Sequence, residues 1–183
     1  MITRRSFYFL RHGQTDYNAG KITQPGEHNL PLNACGRMQA MLIQPKINSL
    51  PIHTICHSPL KRTKETAKLA AVDLTCPYVE IENLRECCDD IWYEMGTLKE
   101  KQSECPNVNQ FLSQTVEGIN EALKLEGNVL IVAHGGIHWA LCYHLQPSNH
   151  NWDLSNAGLV YFEPQGVSEW RAELLHCNHP VLN

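Results

Sequence analysis

Three short stretches of this chain carry residues suited to one task. Arg11-His12-Gly13 follows the apolar run Phe7–Leu10, Ser58-Pro59-Leu60-Lys61-Arg62 follows His53–His57, and His134-Gly135-Gly136 follows Val129–Ala133. Each places a cation, an imidazole or a hydroxyl directly after a run that reads as a buried strand. A glycine beside such groups lets the backbone turn sharply and approach a ligand closely. In open α/β sheets ligands bind beyond the carboxyl ends of the strands, so three such ends can converge on one pocket. Two histidines and two arginines beside a helix N-terminus with free N–H groups suit a dianionic phosphoryl group. One unit-charge pair about 4 Å apart contributes about 4 kcal/mol at an effective dielectric of about 20, so several cations hold such a group firmly.

The elements that must position these residues follow from pattern and punctuation. After the first strand a polar loop runs from Asp16 to Asn33, punctuated by Pro25-Gly26 and Pro31. Asn33 caps a helix expected to reach about Ser49, with Met38, Met41 and Leu42 among its apolar positions. His53–His57 is a second strand. Ser58 at N-cap and Pro59 at N1 open a second helix ending near Val72. Pro77–Ile81 reads as a short strand, and the stretch from Cys87 to Pro106 as a loop with short helical turns. Val108–Leu125 is amphipathic through Phe111, Leu112, Val116, Ile119, Ala122 and Leu123. A helix from about Ile137 to His144 and two closing strands, Leu159–Glu163 and Glu169–Leu175, complete the chain. Strands alternating with helices imply a three-layer α/β/α sandwich: a mostly parallel sheet, made antiparallel at one edge by the closing hairpin.

Composition bounds the function. The 183 residues, 43% hydrophobic and 19% charged, are those of one ordinary globular domain spanning 1–183. A net charge of −4 argues against a broad nucleic-acid footprint, which needs a basic face. No stretch is apolar for long enough to span a bilayer, and the first strand begins too early for a signal peptide. The expectation is a cytoplasmic protein. Eight cysteines without a C-x-x-C are expected as reduced thiols.

Taken in order, the motifs resemble those of the histidine phosphatase (phosphoglycerate mutase-like) superfamily, branch 1. They are R-H-G-x-T at Arg11–Thr15, S-P-L-x-R-x-x-x-T-A at Ser58–Ala67 and A-H-G-G at Ala133–Gly136. Lesser matches are Pro31-Leu32…Gly36…Gln39-Ala40, Leu84-Arg85-Glu86 and Asn156. The resemblance implies a phosphatase for small phosphomonoesters, with His12 as nucleophile forming a phosphohistidine. It implies that Arg11, Arg62 and His134 hold the phosphoryl oxygens, and that Glu86 is the general acid and then base. Asn18, Thr15 and Gly135 match positions that contact phosphate or shape the pocket. No cofactor and no metal are implied, and the partner is a small phosphorylated metabolite. The family often follows its glutamate with a G-x-W-E-G-like stretch, of which Cys87–Gly96 is only a loose echo, so Asp89 and Asp90 stay open as alternatives to Glu86. The insertion at about 87–107 is short, where mutases of the family tend to build a longer cap, and this favours hydrolysis. A mutase-type phosphotransferase and a silent phospho-ligand binder are the alternatives.

Two rival chemistries can be weighed on residues alone. Cys56-x5-Arg62-Thr63 matches the phosphate loop of cysteine phosphatases, but that loop lacks glycine here, contains Pro59, and puts Cys56 inside an apolar strand. His134 and His138 have the i,i+4 spacing of a metal pair, yet Gly135-Gly136 makes the first a loop residue. His53 and His57 are about 13 Å apart on a strand, and His144, His150, His176 and His179 repeat no spacing. Trp92 and Tyr93 fit either a substrate pocket or the core.

Overall fold

The computed structural model describes residues 1–22, 29–95 and 105–178. Along β1 (Phe7–Arg11) successive side chains go to opposite faces of the sheet. Phe7 and Phe9 join one core cluster and Leu10 the other. The same alternation runs along β4 (Val129–Ala133), where Val129, Ile131 and Ala133 face one side and Leu130 and Val132 the other. Both strands are apolar on two faces because helices cover both.

The sheet has six strands in the order β3-β2-β4-β1-β5-β6. β2 (Thr54–His57), β3 (Tyr78–Glu80), β4 and β1 are parallel, whereas β5 (Leu159–Gln165) and β6 (Glu169–His176) form the antiparallel edge. On one side lie α1 (Ala34–Leu42), α2 (Gln44–Asn48) and α3 (Lys61–Ala70), which bury Ile43, Ile47, Ala67 and Ala70. The other side is covered by α4 (Asp89–Met95), α5 (Pro106–Leu123) and α6 (Gly135–Leu145) through Met95, Phe111, Ile119, Ile137 and Leu141. The expected architecture is the observed one.

Three local expectations need correction. The helix begun by Asn33, whose side chain accepts from Gly36 N–H at 2.8 Å, does not run on to Ser49. It breaks at Ile43, and Pro45 starts α2, where a proline in the first turn is tolerated. Met38, Met41 and Leu42 are exposed, and the stripe that packs is Gly36, Ala40, Ile43 and Ile47. α3 begins at Lys61, two residues beyond the expected Pro59, because Ser58 does not cap it. Its Lys61 N–H instead donates to Asn29 Oδ1 at 2.8 Å, so this amide is not a free donor to a phosphoryl group.

Candidate active site

Parallel register brings the chemistry-bearing strand ends level. Arg11 pairs with Ala133, and His57 with Val132. His12 N–H donates to Ala133 O at 3.0 Å and Ser58 N–H to Val132 O at 3.2 Å. These short extensions of the ladder put His12, Ser58 and His134 at one rim. Above it opens a cavity of about 290 Å³ lined by Arg11, His12, Thr15, Asn18, Arg62, Glu86, Cys87 and Gly135. Tyr17, Leu30, Asp89, Trp92 and Tyr93 form its mouth. That volume suits a small ligand.

His12 is buried and held in one tautomer. Its Nδ1 lies 2.7 Å from Gly13 O and donates to it, which leaves Nε2 as the unprotonated nitrogen. Burial, then Arg62 and Arg11, push its pKa well below the ordinary histidine value, so the ring stays neutral. The loop that does this is tightly built. Gly13 N–H donates to Thr66 Oγ1 at 3.0 Å, and Thr66 Oγ1 donates in turn to Arg62 O at 2.7 Å. A Cβ on Gly13 would lie 2.9 Å from the carbonyl carbon of Gly36, so α1 and this loop approach backbone to backbone.

Arg11 and Arg62 enter from different elements. Arg11 Nη1 donates to Leu154 O, while its buried Nε has no partner among the described residues. Burial lowers the Arg11 pKa, and Glu86 and Asp153 oppose that shift. Arg62 Nε donates to His134 Nδ1 at 3.2 Å, and His134 Nε2 lies 2.8 Å from Ser58 Oγ, to which it donates. Both ring nitrogens of His134 are therefore engaged within the protein. The ring is fully buried 5.2 Å from that of His12, and burial followed by Arg62 lowers its pKa well below the ordinary value. His134 stands behind Arg62 rather than on the cavity wall.

Glu86 follows a single 3₁₀ turn, Glu82–Leu84, after β3. Its Oε2 accepts from Gly136 N–H and its Oε1 from Cys87 N–H, each at 3.2 Å. Burial raises its pKa, while the Gly136 amide, Arg62 and Arg11 pull it down. Gly136 is glycine for a steric reason: a Cβ there would overlap Glu86 Oε1 and lie 2.9 Å from Cys87 Sγ. Asp89 lines the mouth and bonds Tyr17, whose hydroxyl pKa is pushed up to about 12, first by that bond. Asp90 is not among the lining residues.

Thr15 and Asn18 brace the opposite wall. Asn18 Oδ1 accepts from Thr15 N–H at 3.1 Å, Thr15 Oγ1 at 3.0 Å and Asn156 Nδ2 at 3.3 Å. Asn156 Nδ2 also reaches His12 O at 3.1 Å, and this brace was visible in the sequence only as a lesser motif match. The segments Asn18–Leu30 and Cys87–Pro106 reach the cavity through Asn18, Leu30, Cys87, Asp89, Trp92 and Tyr93, and 23–28 and 96–104 lie outside the described residues. Trp92 and Tyr93 are rim residues rather than core.

Among the described residues, neither Cys56 nor the His134/His138 and His53/His57 pairs form such an assembly. Cys56 faces the core on the α5/α6 side, fully buried, and burial pushes its thiol pKa up to about 12. His53 accepts from Asn128 N–H at the amino end of β2, at the opposite end of the strand from His57. His134 and His138 serve different neighbours, Ser58 and Arg62 for the first and Trp152 and His150 for the second.

The sheet thus gathers an imidazole, two guanidiniums and a carboxyl beyond the carboxyl ends of β1, β2 and β3. The chain belongs to the histidine phosphatase superfamily (branch 1), whose profile matches residues 7–178. An agropine synthesis reductase of Rhizobium rhizogenes is 29% identical over 184 residues, covering 93% of this chain and 42% of that protein. A probable phosphoglycerate mutase of Serratia proteamaculans is 34% identical over 113 residues, 61% of this chain and 49% of that one. The chain thus spans about half the length, or less, of these curated relatives. Among solved structures, a mycobacterial glucosyl-3-phosphoglycerate phosphatase in complex with VO3 superposes with a TM-score of 0.70. Its identity is 22%, over 96% of this chain and 100% of that one. Bacillus stearothermophilus YhfR gives 0.72 at 20% identity, over 95% and 98%. At such identities the likeness is one of fold.

Proposed function

We propose that the chain is a phosphomonoesterase working through a phosphohistidine on His12. The observation that carries this reading is the His12 tautomer: Nε2 bears the lone pair in a cavity shared with Arg11, Arg62 and Glu86. In the first step Nε2 bonds to phosphorus as the phosphorus–oxygen bond to the leaving group breaks, and Glu86 gives its proton to the departing oxygen. In the second step the Glu86 carboxylate takes a proton from water, the water oxygen bonds to phosphorus, and the N–P bond breaks to release phosphate. Arg11 and Arg62, both lining the cavity, face the charge that grows on the phosphoryl oxygens. The Asn18 amide nitrogen is a further donor on that wall. His134 orients Arg62, and two guanidiniums supply the positive charge this chemistry needs. Glu86 is preferred to Asp89 and Asp90 as the proton donor because it lines the cavity beside His12 and burial raises its pKa.

The mouth favours hydrolysis of esters with an apolar or cationic alcohol. Its described residues are rings, one leucine and the Asp89 carboxylate, a poor second site for the anionic end of a phosphoglycerate. The reading carries a reducing, cytoplasmic setting with it, which the eight free thiols favour. Rapid quench of wild type with an aryl phosphate should trap an acid-labile, base-stable phosphoenzyme that His12→Ala lacks. Turnover retained in His12→Ala but lost in Cys56→Ser would overturn the assignment. Vanadate, carried by the mycobacterial neighbour, should compete with substrate.

A further inference from the structure

Beyond the phosphoryl cavity, on the α5/α6 side of the sheet, three potential ligand atoms of soft or borderline character converge. We propose that His138, Cys142 and His150 form a binding site for a transition metal ion of the zinc class, which ties the segment after α6 to the helix. The three ligand atoms lie within 4.8 Å of one another, the one such group of histidine, cysteine or acidic residues among the described residues. His138 Nε2 is 2.9 Å from His150 Nε2 and 3.8 Å from Cys142 Sγ. A tetrahedral zinc with ordinary Zn–N and Zn–S bonds needs separations of about 3.3 Å and about 3.6 Å. These two separations are within a few tenths of an ångström of that, and a turn of the half-buried His150 ring adjusts its distances to the other two ligands.

The surroundings are those of a built site. His138 and Cys142 are one turn apart on α6, so a rigid element sets two of the three ligands. His138 Nδ1 donates to Trp152 O at 3.1 Å, which leaves Nε2 as the nitrogen with the lone pair and fixes the plane of the ring. This outer hydrogen bond is the one metal-bound histidines ordinarily make. Phe9 and Phe162 pack on the His138 ring at 5.6 Å and 6.1 Å, forming a dry wall. His150 borders a surface cleft with Asn151 and Asp153, a route in for the ion. Two imidazoles and a thiolate select zinc, cobalt or copper(I) over magnesium or calcium. On binding, the metal takes the lone pairs of both Nε2 atoms and the sulfur, while the His150 ring proton moves from Nε2 to Nδ1 and the Cys142 thiol proton leaves to solvent.

The consequence reaches the active site through one piece of backbone. After His150 and Trp152 the same segment gives Leu154 O to Arg11, and Asn156 Nδ2 and Ala157 N–H to His12 O. A metal on His138, Cys142 and His150 therefore fastens the strap on which Arg11 and His12 rest.

The test is a cobalt titration of the full chain, untagged, reduced and stripped with chelator. Expected is one Co²⁺ per chain, with a thiolate-to-cobalt charge-transfer band and tetrahedral d–d bands, all displaced by Zn²⁺. Cys142→Ser should abolish the charge-transfer band, and His150→Gln, a loop change that spares the core, should weaken binding tenfold or more. Zinc should raise the Tm of wild type and of neither variant. No band in wild type would reduce the cluster to an imidazole–imidazole hydrogen bond. A band surviving in His150→Gln with unchanged affinity would place the metal at other thiols. Either result overturns the proposal.

Discussion

Substituting alanine for Gly136 tests the assignment of Glu86 without touching Glu86. The added Cβ would overlap Glu86 Oε1 and lie 3.2 Å from its Cδ and 2.9 Å from Cys87 Sγ. Ordinary contact distances are about 3.5–4.0 Å, so the carboxyl must withdraw by roughly 1 Å. The chain tolerates this well, because the atoms displaced are the end of a flexible side chain, and alanine is favoured over glycine in the first turn of α6 by up to about 1 kcal/mol. Misplacing a reacting group by about 1 Å costs on the order of 10²-fold, or about 2.7 kcal/mol of transition-state stabilisation. The loss should fall on substrates whose leaving oxygen needs a proton. The assay is kcat for an alkyl phosphate beside kcat for a nitrophenyl phosphate, whose phenolate departs unprotonated. We expect a fall of about 10²-fold for the first and a much smaller one for the second, with Tm nearly unchanged. Gly135→Ala is the control: its Cβ would lie 3.3 Å from Arg11 Cζ, a neighbour shared by all substrates, so both activities should move together. If Gly136→Ala lowers both substrates equally, or neither, Glu86 is not the proton donor.

Other outcomes follow from the same geometry. The kcat/KM profile for alkyl phosphates should fall on its basic side as Glu86, raised by burial, gives up its proton, and Glu86→Gln should remove that limb. His12 and His134 are bases whose folded pKa values lie below their unfolded ones. Their contribution to stability is complete above about pH 6.5 and is lost as pH falls, at up to about 1.4 kcal/mol per pH unit for each. Urea denaturation at about pH 7 and pH 5 measures this, and a flat response would contradict the assigned neutral rings. Cys56→Ala should keep full turnover while lowering stability by about 1–2 kcal/mol, because Cys56 fills core space and is not among the residues lining the candidate active-site cavity. His134→Ala should cost activity mainly through Arg62, so a higher KM for substrate and weaker vanadate binding are the expected signatures.

The strand ends were legible because β1 and β4 are apolar without interruption and end abruptly in charged or imidazole residues. What decides the helices was harder to read. Met38, Met41 and Leu42 are apolar by type, but the face of α1 that meets the sheet is set by period, and there glycine and alanine do the packing. Ser58-Pro59 has the composition of a helix start, yet its hydroxyl is taken by His134, a residue far away in sequence. Glu86 could be singled out by motif, but the reason for a second glycine after His134 appears only when Gly136 is seen against its carboxylate. The His138–Cys142 spacing of four was available as a signal. Its third member, His150, lies beyond the end of the helix, where no periodicity reaches.

The order of strands has a consequence for how the protein is made. β1 hydrogen-bonds only to β4 and β5, with Arg11 opposite Ala133 and Phe7 opposite Phe162. A ribosome-bound chain therefore carries Phe7–Leu10 with both edges bare until β4, more than 100 residues downstream, has emerged. The strand that leads to His12 thus waits for both neighbours as an apolar ribbon while more than 100 further residues are made.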